Sequence, residues 1–254
     1  MPDPHQITRD FEKEIGEYTG APYVVATNSC TNALLIALAW FRETGRKTVS
    51  IPRFTYVSVP QSIQIAGHDV EFRDEDWRGE YQLSPLPLWD AAKRFTSGMF
   101  FRPGHMQACS FHVSKILGLD QGGCILLDNP EADAWLRKAR FDGRTEGVHP
   151  RADEFTRGFH CYLSPTIAAH GLWRLSFLPK HNEDLPNSDY ADLSKVELFN
   201  DAKKDARGVL LASSSEGRRM LDVDRPDGWS RLRQDGALPG SQIIRGSSDI
   251  MGNP

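Results

Sequence analysis

A chain of 254 residues with 39% apolar and 25% charged residues can bury a core without a metal or a disulfide, and its composition is that of an ordinary globular protein. The net charge of −4 is spread along the chain and offers no basic face to a phosphate backbone, and no apolar run approaches the roughly 20 residues of a bilayer span, so nucleic acid and membrane are poor partners. Cys30, Cys109, Cys124 and Cys161 form no CxxC pair and the opening MPDPHQITRD lacks a basic-then-apolar leader, so a cytoplasmic setting is expected.

Up to about residue 145 short β-rich runs alternate with helix-like stretches, the pattern of an α/β domain. Strands are expected near residues 22–26, 48–51, 70–73, 86–89, 107–111 and 123–127. Between the first two, NSCTNALLIALAWFRETGR reads as a helix capped by Asn28 or Ser29, with Leu34, Leu35, Leu38 and Phe41 along one side. A second helix is expected over 59–66. PEADAWLRKARFDG reads as a third, opened by Pro130 and closed by Gly143, and SPTIAAHGLWRLSFL, residues 164–178, as a fourth. Near residue 205 lysine disappears, and Gly, Ser, Asp and Pro recur between short apolar pieces such as VLLA and SQII. That tail reads as a loosely ordered extension, a small irregular subdomain or a docking segment.

Chemistry centres on ACSFHVSKILGLDQGGCILLD. A strand ends in Ser-Phe-His, Lys115 follows in a turn, and a glycine pair starts the next strand. Most lysines are solvated surface groups. One lifted from water by apolar neighbours can instead become an amine that condenses with an aldehyde cofactor.

Four further segments in order give Lys115 its context: FEKEIGEYTGAPYVVATNSCTNALLIAL, VSIPRFTYVSVPQSIQIAGHDVEFRDED, LPLWDAAKRF and RGFHCYLSPTIAAHGLWRL. Together with SFHVSK they resemble the DegT/StrS family of sugar aminotransferases, which have the aspartate-aminotransferase fold. The resemblance covers about residues 10 to 175. It implies a three-layer α/β/α large domain with a mostly parallel sheet over residues 1–180. Residues 181–254 would be a divergent extension, with the family's small domain reduced or absent. It implies pyridoxal 5'-phosphate, bound as a Schiff base on Lys115. Thr31 and Asn32 match the phosphate-binding turn at a helix start, where free N–H groups and the helix dipole favour an anion. Ser110 matches the phosphate-binding serine and Tyr56 the aromatic that covers the ring. Asp90 matches the aspartate that keeps the ring nitrogen protonated, although capping of the residues after it is a second reading.

Departures from the pattern bear on function. Lys93 stands where the family has Gln or His beside the cofactor's phenolic oxygen, and it either pairs with that oxygen or turns outward to solvent. His160 replaces the family's Asn, which reaches the phosphate of the partner subunit, so a homodimer with His160 in that contact is implied. Cys30 replaces a glycine and would be strained if the turn needs a positive φ. The remaining histidines show no metal spacing. The resemblance implies amino transfer from a donor such as glutamate to a keto sugar of a sugar nucleotide. Another acceptor, a dehydration or elimination on the same cofactor, and a non-catalytic descendant used for binding remain as alternatives.

Overall fold

The structure, a computed structural model, describes residues 3–200. The expectations for the tail lie outside these residues. Helix α1 (Gln6–Thr19) ends at Gly20, whose φ of 83° gives the left-handed cap that a side chain would resist. Strand β1 (Tyr23–Thr27) leads into α2 (Cys30–Arg42), then β2 (Thr48–Pro52), α3 (Ser58–Ile65), β3 (Asp69–Arg73), the two-residue β4 (Tyr81–Gln82), β5 (Leu88–Asp90), β6 (Met106–Ser110), β7 (Gly123–Leu127), α4 (Pro130–Arg140), α5 (Pro165–Leu175) and α6 (Glu197–Asn200). Capping sets the helix starts. Ser29, Asn129 and Ser164 accept from backbone N–H groups of α2, α4 and α5, and proline stands in the first turn of the last two.

Five strands form one sheet in the order β1-β7-β6-β5-β4, and β2 pairs with β3 beside it. Strands β1, β6 and β7 bury both faces. Val25, Ala108, Ile125 and Leu127 face the core that includes α2, α3 and α4, whereas Val24, Ala26, Cys109, Cys124 and Leu126 face the core that includes α1 and α5. This alternation produces the helix–sheet–helix layering. Strand direction departs from the expectation of a mostly parallel sheet. β7 runs against both β1 and β6, β4 runs against β5, and only β5–β6 is paired in parallel within the five. The cause is the link before β7. Residues 111–122 contain no helix, and a parallel return needs a crossover that usually carries one.

Two contacts fix the helices over the sheet. At Gly171 a Cβ would lie 2.5 Å from Cζ of the buried Phe11 ring, so the missing side chain is what lets α5 lie against α1. Buried Glu12 of α1 accepts the N–H of Ala26 at 2.8 Å and pairs with Arg137 at 2.7 Å and with Arg140, both on α4. Between residues 181 and 199 the chain stays packed on this body: Leu193 N donates to Arg53 O at 3.0 Å, and Phe199 meets Phe72 edge-on at 5.9 Å.

Candidate active site

The ends of β5 and β6, the start of α2 and the 111–122 loop converge on a cavity of about 550 Å³. Lys115 lines it, together with Thr31, Tyr56, Asp90 and Ser110. The lysine loop is held at several points. Phe111 N donates to Gly122 O at 2.9 Å, Leu119 N to Phe111 O at 2.7 Å, and Lys115 N to His112 O at 2.8 Å. From α5, Arg174 Nε reaches Leu117 O at 3.0 Å. Phe111, Leu117 and Leu119 are buried beneath the loop, so Lys115 stands on an apolar base. Among the described residues its amine makes no hydrogen bond or ion pair.

Asp90, at the end of β5, is buried. Its Oδ1 accepts Ala92 N–H at 3.0 Å, and its Oδ2 accepts Tyr81 O–H at 2.9 Å. The tyrosine oxygen in turn shares a 2.6 Å hydrogen bond with Thr55. Burial raises the Asp90 pKa; the two donors and the positive charge of Lys115 offset part of that rise. A buried carboxylate of this kind is stabilised further by a cationic N–H in the cavity. The bond to Ala92 is a local turn contact, and no helix follows it.

At the start of α2, Ser29 caps the helix by accepting Asn32 N–H at 3.1 Å, and Thr31 shares a 2.8 Å hydrogen bond with Ser58. The turn is drawn hard against β7. A Cβ on Gly123 would lie 2.5 Å from Cys30 N and 2.7 Å from Ser29 C, so glycine there is what admits the helix start to the strand ends. Cys30 lies within the first turn of α2, and Asp142 is the one non-glycine residue with positive φ among those described. The strain anticipated at Cys30 is therefore absent, and burial raises its thiol pKa well above the ordinary range. A helix N-terminus with Thr31 and Ser110, a buried acid and an uncommitted amine lining one cavity fit pyridoxal phosphate.

Three residues singled out from the sequence do not line the cavity. The Asn32 amide donates to Asn28 Oδ1 at 2.7 Å. Lys93 neither enters the cavity nor turns to solvent. It is buried, its Nζ donating to Pro186 O and, at 2.9 Å, to Ser188 Oγ. Burial lowers its pKa, and the charge of Lys115 adds to the effect. His160 is exposed, with Nδ1 3.1 Å from an oxygen of Asp142 and its ring edge-on to Tyr162 at 4.9 Å.

Conversely, Ser58, Trp77, Gln121, Ser188, Asp189 and Tyr190 line the cavity and carry no signal in the sequence. Tyr81 was also missed, because its contact with Asp90 follows from the β4–β5 register, in which the two residues are opposite each other. Among the described residues no group of His, Cys, Asp and Glu is placed to hold a metal, and no helix is long and apolar enough to cross a membrane.

Residues 5–106 match the DegT/DnrJ/EryC1/StrS aminotransferase family. No curated protein matches the chain in sequence. Among solved structures, a DegT/DnrJ/EryC1/StrS aminotransferase from Brucella abortus is similar, with 21% identity and a TM-score of 0.55 over 68% of this chain and 58% of that one. The sugar aminotransferase CalS13 from Micromonospora echinospora is 19% identical, with a TM-score of 0.54 over 68% of this chain and 60% of that one. The GDP-4-keto-6-deoxymannose-3-dehydratase ColD is 17% identical, with a TM-score of 0.54 over 68% of this chain and 61% of that one. This chain thus spans about three fifths of the length of each. Over residues 5–106 the chain is thus similar to the DegT/DnrJ/EryC1/StrS aminotransferase family, and its described residues carry the fold of solved aminotransferases of that family.

Proposed function

We propose that this chain is a pyridoxal-phosphate-dependent aminotransferase that moves an amino group, from glutamate as donor, to a keto sugar of a sugar nucleotide. The observation that carries the reading is the convergence of Lys115, Asp90, Ser110, Thr31 and Tyr56 on one cavity. When bound, the cofactor supplies an electron sink for the carbon that carries the migrating amino group. Lys115 holds the cofactor covalently and, once released, moves the proton at the reacting carbon. Asp90, oriented by Tyr81 and Ala92, keeps a proton on the ring nitrogen. Ser110 and the start of α2 take the phosphate, and Tyr56 covers a ring face.

A fold retained only for packing needs neither a buried, tyrosine-bonded Asp90 nor an uncommitted Lys115 beside it, which argues against a purely non-catalytic descendant. The fold likeness to a dehydratase keeps dehydration or elimination as the second reading, with the same residues holding the cofactor. Borohydride reduction of the full chain incubated with pyridoxal phosphate, followed by peptide mapping, tests the assignment. An adduct on Lys115 is expected, and its absence would sink the proposal. Amination of a panel of keto-sugar nucleotides with glutamate then separates amino transfer from dehydration.

Asp90→Asn is expected to keep the Lys115 adduct but lose most turnover, because a neutral amide cannot hold the ring proton. Undiminished turnover would reduce Asp90 to its turn contact with Ala92. We also propose a homodimer. The exposed position of His160 leaves it available to a partner subunit's phosphate, and a two-fold pair is the commonest closed assembly. A cofactor-loaded monomer on sedimentation would refute the shared site.

A further inference from the structure

Residues 184–192 cross the face of the body beside the cavity and are pinned at both ends. At one end, Arg94 pairs with Asp184 through Nε at 2.9 Å and through its terminal nitrogen at 2.6 Å, while Leu185 N donates to Lys93 O at 2.9 Å. At the other, Asp192 forms a bridge with Phe54 and lies 3.7 Å from Arg53. Between these anchors Asn187 donates to Trp77 O, and Ser188, Asp189 and Tyr190 form part of the cavity wall.

Lys93 ties the middle of this strap to the turn that carries Asp90. Its buried ammonium meets two neutral acceptors, Pro186 O and Ser188 Oγ, and lies 5.3 Å from the centre of the Tyr190 ring. Burying an ammonium against neutral partners is costly, and the cation–ring contact offsets part of that cost. The strap brings Tyr190 nearly parallel to Trp77, at 16° and 6.2 Å between centres. Trp77 in turn packs edge-on to Tyr81 at 4.7 Å, and Tyr81 bonds Asp90. An aromatic run therefore leads from the buried acid to the cavity wall, with the Asp189 carboxylate beside its outer ring. Flat apolar faces suit the C–H face of a saturated ring, and a carboxylate accepts from that ring's hydroxyls.

We propose that residues 184–192 form the acceptor-side wall of the cavity. Tyr190 and Trp77 take the face of a sugar ring, Asp189 accepts from its hydroxyls, and Lys93 is the positioning residue that holds the wall in place. The proposal rests on the aminotransferase reading for its choice of ligand class. It assigns Lys93 to the strap instead of to the cofactor.

The test titrates the cofactor-loaded full chain with UDP-, dTDP- and GDP-glucose, which lack a keto group and cannot turn over, by calorimetry. At least one is expected to bind. Tyr190→Ala, Asp189→Asn and Lys93→Met should each weaken binding by about tenfold or more, while borohydride still fixes the same amount of cofactor on Lys115. Chymotryptic cleavage after Tyr190 should also accelerate in Lys93→Met, as the freed strap becomes accessible. Failure of all three nucleotides to bind wild type, or unchanged binding in Tyr190→Ala and Asp189→Asn, overturns the wall. Loss of the Lys115 adduct in Lys93→Met, or unchanged cleavage, overturns the role of Lys93. A wild-type chain that forms no adduct on Lys115 defeats the aminotransferase reading instead, and the same titration of the full chain without cofactor then decides the wall.

Discussion

Lys115→Ala is expected to abolish the borohydride-fixed adduct entirely and to leave pyridoxal phosphate bound weakly. The remaining contacts would be hydrogen bonds from Ser110, Thr31 and the start of α2, together with Asp90, none of them covalent. The rival amine is Lys93, whose pKa burial lowers, the charge of Lys115 adding to the effect, a shift in the direction that favours a nucleophilic amine. Geometry disfavours it: its Nζ is committed to Pro186 O and Ser188 Oγ, and Lys93 itself does not line the cavity. Mapping the reduced peptide in wild type and in Lys115→Ala separates the two. An adduct on residues 91–94 in the variant would transfer the covalent role to Lys93.

Glu12→Gln is expected to lower the stability of the whole body by about 3 kcal/mol, the lower end of the range for removing one partner of a buried ion pair. Arg140 has 2% of its side chain exposed, and without Glu12 its remaining acidic neighbour is Glu146 at 3.6 Å. The glutamine can still accept from Ala26 N, so the loss is mainly of charge. A urea midpoint that falls with an unchanged slope would show it. Acid should reveal the same pair. Burial alone would raise the Glu12 pKa, but Arg140 and Arg137 outweigh it and hold the carboxyl below the ordinary glutamate range. A lowered folded-state pKa means the contribution is fully present above the unfolded value of about 4.3 and disappears as pH falls through the lower folded value. The gap between wild type and Glu12→Gln should therefore close in acid. A gap that persists there would show that packing, not charge, was lost.

Thr31, Tyr56, Asp90, Ser110 and Lys115 could be singled out because each lies in a short contiguous segment that resembles one of the family's. The strands and helices that carry them are legible through periodicity and caps such as Ser29 and Pro130. The partners of these residues were not legible. Tyr81 reaches Asp90 through a two-residue antiparallel pairing too short to leave a pattern, and Trp77 and Tyr190 meet across more than a hundred positions. Lys93 was misjudged because its acceptors, Pro186 and Ser188, belong to a segment that no family resemblance covers. The direction of β7 escaped because periodicity reports which faces are buried, not which way a strand runs.

The place of β1 has a consequence for how the site comes into being. β6, the lysine loop and β7 are contiguous in sequence, so this unit can close at small loop entropy. β1, by contrast, sits at the sheet edge against β7, with Thr27 opposite Gly123, and brings the start of α2 with it from the far end of the chain. Lys115 can thus be positioned early in folding, whereas the start of α2 reaches the cavity beside it only when the N-terminal strand docks. Until that long-range pairing forms, the lysine loop stands without the helix start that completes the lining of the cavity.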